Sequence, residues 1–297
     1  MEDFFKYLAT SEEDQDWGLF LKTAGTFRVP AGSNYPSESH PAGYYYTWEE
    51  GRRLMEYQIN YIIDGSGIYE NNYGQFRIGP GSLMITFPGE WHRYMPLKAT
   101  GWTEMYIGFN GSMAQKLMSR PQFTVAQPVI PIGNKEDILD TYLRIMDLVR
   151  NEQPGFQQIA SGWVVKLLGN IVAFEKQKGF SGKPIKAIIE GACFTMRREV
   201  IKNLDMIQFT TKHNISYSYF RRMFKKYTGV SPLQYQMQLK IILARDMLTN
   251  SGKSIKEISY DLGFESIHYF SRLFKEKVGV SPSAFAKSHQ AGNSRTA

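Results

Sequence analysis

The chain has 297 residues, 42% apolar and 21% charged, enough for about two domains and too apolar for a disordered segment. Its longest apolar stretch, Ile159 to Phe174, is interrupted by Lys166 and falls short of the ~20 residues of a membrane span; Met1, Glu2 and Asp3 lack the basic start of a secretory signal. The single cysteine, Cys193, excludes an intramolecular disulfide and fits a reducing cytoplasm. The net charge of +7 is divided unevenly: from Lys183 onward 19 Lys and Arg face 8 Asp and Glu, whereas residues 1–182 carry 16 against 20. A basic surplus confined to one segment is the electrostatic footprint of nucleic-acid binding, since Lys and Arg displace counterions from phosphates.

From Tyr57 to Phe109, short aromatic or β-branched runs alternate with Gly, Pro and Asn turns. The runs are Gln58 to Ile63, Ile68 to Glu70, Phe76 to Ile78, Leu83 to Phe87 and Trp102 to Phe109. Short strands at regular spacing predict a sandwich or barrel. With His92 the one histidine in this region and His40 the only other before the C-terminal domain, the ligand count is too low for a metal site, so neither metal nor cofactor is expected. Strand parity puts His92 with Tyr94 on one face and Trp102 with Glu104 and Tyr106 on another. Arg52 or Arg53, just ahead of the first long strand, adds a charged donor. Aromatic surface beside acidic and basic hydrogen-bonding groups suits a neutral polyhydroxy molecule such as a sugar.

Pro128 to Ile132 closes this region. Ile138, Tyr142, Ile145 and Val149 then share one helical face, and after Pro154 and Gly155 a second helix runs from Ile159 to Lys178 with Trp163, Val164, Leu167, Leu168, Ile171 and Val172. Periodicity leaves open whether these helices pack back on the strands or pair with another subunit. Residues 179–184 read as a flexible linker, and a helix from Ile185 to Lys202 opens the last domain.

That domain contains a repeat. Ile215 to Pro232, ISYSYFRRMFKKYTGVSP, returns fifty residues later at Glu265 to Pro282, ESIHYFSRLFKEKVGVSP, and a fixed offset implies one unit used twice. In each copy a serine, Ser216 or Ser266, is placed to cap a helix that Gly229 or Gly279 ends. Phe220 and Phe224, matched by Phe270 and Phe274, mark an apolar face. The opposite face carries Ser218, Arg221, Arg222 and Lys225 in the first copy, and Ile267, His268, Ser271, Arg272 and Lys275 in the second. Shorter helices precede both: Asp205 to Lys212 with a turn at His213 and Asn214, and one from a capping box at Ser254 and Glu257 to Gly263. This is the helix-turn-helix arrangement, whose second helix enters the major groove. Arg reads guanine bidentately, and small or apolar side chains meet thymine methyls. Between the copies, Pro232 opens a helix whose period runs from Leu233 to Asn250, about 18 residues and roughly 27 Å.

The run Ile258, Ser259, Tyr260, Asp261, Leu262, Gly263, Phe264, then Tyr269 to Lys275 and Gly279 to Pro282, resembles the signature of the AraC/XylS family of bacterial transcription regulators. Ser259 departs from the family's usual alanine, with Thr210 at the matching place. GSGIY, IGPGSLMITFPGEWHRY and GWTEMYIGF resemble the cupin-like effector domain of sugar-responsive members. The resemblance implies an α+β chain of two domains: a cupin-like β-barrel (1–134), amphipathic helices used for dimerisation or packing (135–178), a linker (179–184), an all-α double helix-turn-helix domain (185–289) and a disordered tail (290–297). It implies Tyr94, Glu104 and Tyr106 as ligand-facing, a long helix holding two recognition helices for adjacent major grooves, and a homodimer. It further implies a cytoplasmic activator with RNA polymerase as a partner. The alternative from another class is a DNA-tethered cupin enzyme acting on a small polar substrate.

Overall fold

A computed structural model describes residues 3–36 and 46–293; His40 and tail residues 294–297 lie outside the described residues. The chain divides into two compact units, Met1–Gln177 and Lys178–Ala297.

The first unit is β-rich. In chain order it carries β1 (Phe4–Tyr7), α1 (Glu12–Asp16), β2 (Phe20–Val29), β3 (Arg52–Arg53), β4 (Tyr57–Gly65), β5 (Gly67–Asn71), β6 (Gly74–Ile78), β7 (Ser82–Thr86), β8 (Trp91–Pro96), β9 (Trp102–Asn110), α2 (Ser112–Met118), β10 (Val129–Pro131), α3 (Glu136–Asn151) and α4 (Phe156–Lys178). Six strands form one antiparallel sheet in the order β1-β2-β9-β4-β7-β10, and four form a second in the order β3-β8-β5-β6. Among the described residues the two sheets are not joined into a closed barrel.

Alternation along the strands gives the larger sheet two faces of different chemistry. On one, Leu21, Ile59, Leu83, Ile85, Ile107 and Phe109 pack with Ile138, Tyr142 and Ile145 of α3 and Val164, Leu167 and Leu168 of α4. The Tyr142 hydroxyl donates to the Ile59 carbonyl at 2.9 Å, pinning α3 to the centre of the sheet. The apolar faces read from the sequence are thus consumed within the chain. Leu143, Ile159 and Val165 remain exposed on these helices, at 40%, 56% and 38%. On the other face, Ile62, Met84 and Trp102 meet Tyr69, Ile78 and Tyr94 of the smaller sheet. Polar side chains share that interior, and they make the site.

The second unit carries α5 (Pro184–Arg198), α6 (Met206–Lys212), α7 (Tyr217–Thr228), α8 (Pro232–Asn250), α9 (Ile255–Asp261), α10 (Ile267–Val278) and α11 (Pro282–Asn293). Pro184 sits at the start of α5, where its missing N–H costs nothing; α5 ends at Arg198, four residues before the expected Lys202. Helix α11 runs to Asn293, past His289. Two aromatic cores form. Phe220 and Phe224 pack with Ile189, Ala192 and Met196 of α5, while Phe270 and Phe274 pack with Ile241, Ala244 and Ile258. Helix α8 serves both, giving Tyr235 and Leu239 to the first and Ile241, Ala244 and Leu248 to the second. Ile242, read from the sequence as part of its apolar period, is 63% exposed, because α8 turns a different face to each module.

The segment between α4 and α5 is anchored to the second unit. Phe180 is 2% exposed, and its ring meets Tyr227, at the end of α7, edge-on at 5.1 Å. The Lys183 amide donates to the Phe180 carbonyl at 3.1 Å, tightening the turn.

Candidate functional site

The sheet interior of the first unit is built around Arg52. Strand β3 sets Arg52 opposite His92 and Arg53 opposite Trp91, so the two arginines leave the strand on opposite sides. Arg52 donates from Nε to His92 Nε2 at 3.4 Å and from Nη2 to the Tyr94 hydroxyl. Its guanidinium lies 4.9 Å from the Tyr46 ring centre and 5.0 Å from that of Tyr94, within cation–π range. Arg53 is exposed and donates to the Gly89 carbonyl; strand parity takes it out of the interior.

His92 is fully buried and stacks within 4° of the Tyr69 plane and 10° of the Tyr94 plane. Burial, with the Arg52 guanidinium beside it, pushes its imidazole down to about 3. The neutral ring accepts from Arg52 on Nε2, which leaves the proton on Nδ1, 3.1 Å from the Glu90 carbonyl. Trp102, 1% exposed, fits because Gly67 opposes it: a Cβ there would come within 2.4 Å of the indole. Its Nε1 has no hydrogen-bond partner among the described residues. Glu104, 2% exposed, accepts from Asn60 Nδ2 at 3.0 Å. Burial raises this carboxyl to about 7 against the opposing pull of Asn60 and Arg52. Tyr106 is half-buried and covers Gly25, where a Cβ would come within 2.6 Å of its hydroxyl; burial, reinforced by Glu104, raises this phenol.

Of the seven candidates read from the sequence, the structure gathers Arg52, His92, Tyr94, Trp102, Glu104 and Tyr106 on the facing sides of the two sheets and leaves Arg53 outside. It adds Tyr46, whose hydroxyl donates to the Tyr94 carbonyl and accepts from the Tyr94 amide at 3.1 Å. It also adds Tyr69, Gln58, Asn60 and Thr86. Gln58 and Asn60 had a legible signal: polar residues alternating with Ile59 and Tyr61 in a strand whose other side is fully apolar. Among the described residues no group of three or more His, Cys, Asp or Glu could hold a metal ion.

The second unit presents its two recognition helices in matched form. Ser216 accepts from the Tyr219 amide at 3.3 Å and Ser266 from the Tyr269 amide at 3.1 Å, while Gly229 and Gly279 end α7 and α10 at φ 88° and 89°. Asn214 and Gly263 make the preceding turns, both with positive φ, 54° and 68°. On α7, Ser218, Arg221, Arg222 and Lys225 are all exposed and, with Tyr217, line an open cavity of about 350 Å³. On α10, His268, Arg272 and Lys275 are exposed, while Ile267 and Ser271 are half-buried. Arg222 lies over Tyr219 at 5.6 Å and Arg272 over Tyr269 at 5.7 Å, so the repeat extends to the pose of the guanidinium. Thr210 and Ser259, buried at 2% and 0%, occupy the first helix of each module; Thr210 bonds back to the Met206 carbonyl at 2.8 Å, and Ser259 Oγ has no partner among the described residues.

A two-sheet domain with a polar interior, joined to a paired helix-turn-helix unit with two basic helix faces, defines a ligand-binding DNA-binding regulator. The comparisons agree. A model described as "AraC-like ligand binding domain" matches residues 32–162, and one described as "Helix-turn-helix domain" matches residues 209–288. The chain thus carries an AraC-like ligand-binding domain followed by a helix-turn-helix domain, the two parts of an AraC-type regulator. It is 24% identical over 235 residues to the Msm operon regulatory protein of Streptococcus mutans, covering 78% of this chain and 83% of that protein. It is 25% identical over 219 residues to the MmsAB operon regulatory protein of Pseudomonas aeruginosa, covering 72% and 69% respectively. Among solved structures, the DNA-binding domain of AdpA in complex with a target DNA matches 35% of this chain and 93% of that one, at 23% identity and a TM-score of 0.33. The relatives are operon regulators, which sets the chain with regulators rather than with enzymes. No helix among the described residues is long and apolar enough to cross a membrane.

Proposed function

We propose that this regulator is a cytoplasmic activator whose first unit binds a carbohydrate, and whose homodimer presents the two recognition helices of each second unit to adjacent major grooves, where RNA polymerase is recruited. The observation that carries the effector reading is the Arg52 clamp: a guanidinium between the Tyr46 and Tyr94 rings, within the same interior as the Glu104–Asn60 pair. Aromatic faces cover the C–H surface of a sugar ring, and planar polar groups meet its hydroxyls. Arg221 and Arg222 on α7, and His268 and Arg272 on α10, are the base and phosphate readers in this account. Leu143, Ile159 and Val165, the apolar side chains that α3 and α4 leave exposed, are the contacts offered to a second copy. Effector binding acts by favouring one arrangement of the units over another.

The test is thermal denaturation of the full chain with a panel of neutral mono- and disaccharides, with sedimentation velocity on the same samples. At a hundredfold excess over its dissociation constant, a bound effector adds about 2.7 kcal/mol of stability. The expected result is one sugar, or a related set, raising the melting temperature by several degrees without being consumed, on a dimer. No response across the panel contradicts the carbohydrate reading, and a monomer at micromolar concentration contradicts the dimer.

A further inference from the structure

The inner face of the six-stranded sheet carries polar atoms that are left unpaired beside the Arg52 cluster. Strand β4 places Gln58 and Asn60 there, and β7 sets Thr86 directly opposite Gln58. All three are buried, at 1%, 0% and 0% exposure. Gln58 Oε1, Asn60 Oδ1 and Thr86 Oγ1 have no hydrogen-bond partner among the described residues. The other end of the Asn60 amide is engaged, since Nδ2 donates to Glu104 at 3.0 Å, so it is the acceptor that is left over. On the far side of Gln58, strand β9 has Gly108, and the space a side chain would take there is filled by the Glu56 carboxylate and the Thr23 hydroxyl, bonded to each other at 3.0 Å. Two amide oxygens and one hydroxyl thus stand unpaired in this part of the interior. Buried polar atoms without partners lower stability, and native folds keep few of them. Three on two adjacent strands, two of them directly opposite, mark a place where hydrogens arrive from outside the chain.

We infer that Gln58, Asn60 and Thr86 form a second subsite for the effector, one that accepts hydrogen bonds from the hydroxyls of a polyhydroxy ligand. This rests on the carbohydrate reading above and sharpens it. The ligand is held from two sheets: Arg52 and Tyr94 donate to its oxygens from the four-stranded sheet, and the acceptors of β4 and β7 take its hydroxyl hydrogens from the six-stranded one. Such a site rejects a deoxy analogue, because the missing hydroxyl leaves a buried acceptor unpaired. The three residues act as specificity determinants rather than as parts of the fold.

That distinction supplies the test. Thr86→Val and Gln58→Met replace orphaned polar atoms with apolar groups of similar shape, a change expected to leave the sugar-free protein unchanged or slightly more stable. Melting temperatures of the full chain and both variants are measured alone and with glucose, galactose, xylose, arabinose, sucrose and maltose at millimolar concentration. The expected result is an equal or higher melting temperature without sugar, and at least a tenfold weaker response to the sugar that stabilises the parent. Equal responses in parent and variants overturn the subsite and leave the carbohydrate reading standing. A melting temperature markedly below the parent's without sugar assigns these groups to the fold and overturns the subsite as well. A parent that responds to none of the six overturns both.

Discussion

Replacing Arg221 and Arg222 together with alanine is expected to weaken operator binding by about 10² to 10³-fold, since each bidentate arginine contact contributes roughly 1–3 kcal/mol. Both side chains are exposed on α7, and among the described residues Arg221, Arg222, Lys225, Arg272 and Lys275 are in no salt bridge, the one ion pair on these two helices being Lys277 with Glu276. Their loss leaves the Phe220–Phe224 core beneath them intact, so the melting temperature should hold. Two effects separate inside the pair. Arg222 has its twin in Arg272, each lying over the tyrosine three residues before it, whereas the counterpart of Arg221 in the second module is Ser271. Arg221→Ala should therefore relax base preference in one half of the site, while Arg222→Ala weakens the first half and Arg272→Ala the second by similar amounts. Fluorescence anisotropy against operator and random duplexes, repeated at several salt concentrations, reads both quantities. Each lost phosphate contact flattens the salt dependence by about one unit of slope. Unchanged affinity in the double variant would remove α7 from the interface.

A second large effect concerns pH. Glu104 has its carboxyl raised by burial from 4.5 to about 7. Between those values the folded chain keeps a proton that the unfolded chain has released, so this group's contribution is complete below about pH 4.5 and is lost as pH rises through 7. The size is on the order of 3 kcal/mol. His92 works in the opposite direction. Its imidazole is depressed to about 3 by burial and by Arg52, so the folded state refuses a proton that the unfolded state takes up below its ordinary value of 6.5, and stability falls as pH falls. The two slopes oppose each other near pH 5 to 6, which makes the parent's profile a difference. Glu104→Gln isolates one side of it. The variant should gain on the parent as pH rises from 5 to 8, by an amount approaching the figure above, in urea denaturation at the two values. A gap between parent and variant that does not change with pH would show that Glu104 titrates as an ordinary surface carboxylate.

The second unit was the more legible in sequence, and for a physical reason. Its helices announce their ends in single residues: Ser216, Ser231, Ser254 and Ser266 each accept a first-turn amide, and the duplication checks every assignment twice. The first unit shows β4, β5, β6, β7 and β9 as runs between turns but hides others. Strand β2, which pairs with β9 in the larger sheet, has no clean alternation because both faces are covered and a register shift between Leu21 and Thr23 breaks the period. Strand parity found His92 with Tyr94 and Trp102 with Glu104 and Tyr106, but it could not choose between Arg52 and Arg53, since two neighbours on a strand are equivalent until the pairing with His92 is known. Helices α3 and α4 show another limit: an apolar stripe looks the same whether it meets a sheet or a second copy.

In the proposed arrangement one duplicated reader spans two successive grooves. Helix α8 has 19 residues, a length of about 28 Å, close to the ~34 Å between major-groove faces on one side of a duplex. Hydroxyl-radical footprinting of the full chain on an operator selected from random duplexes measures the span directly. Two protected patches are expected for each second unit, one helical turn apart on the same face of the DNA. A single protected patch per unit would contradict it.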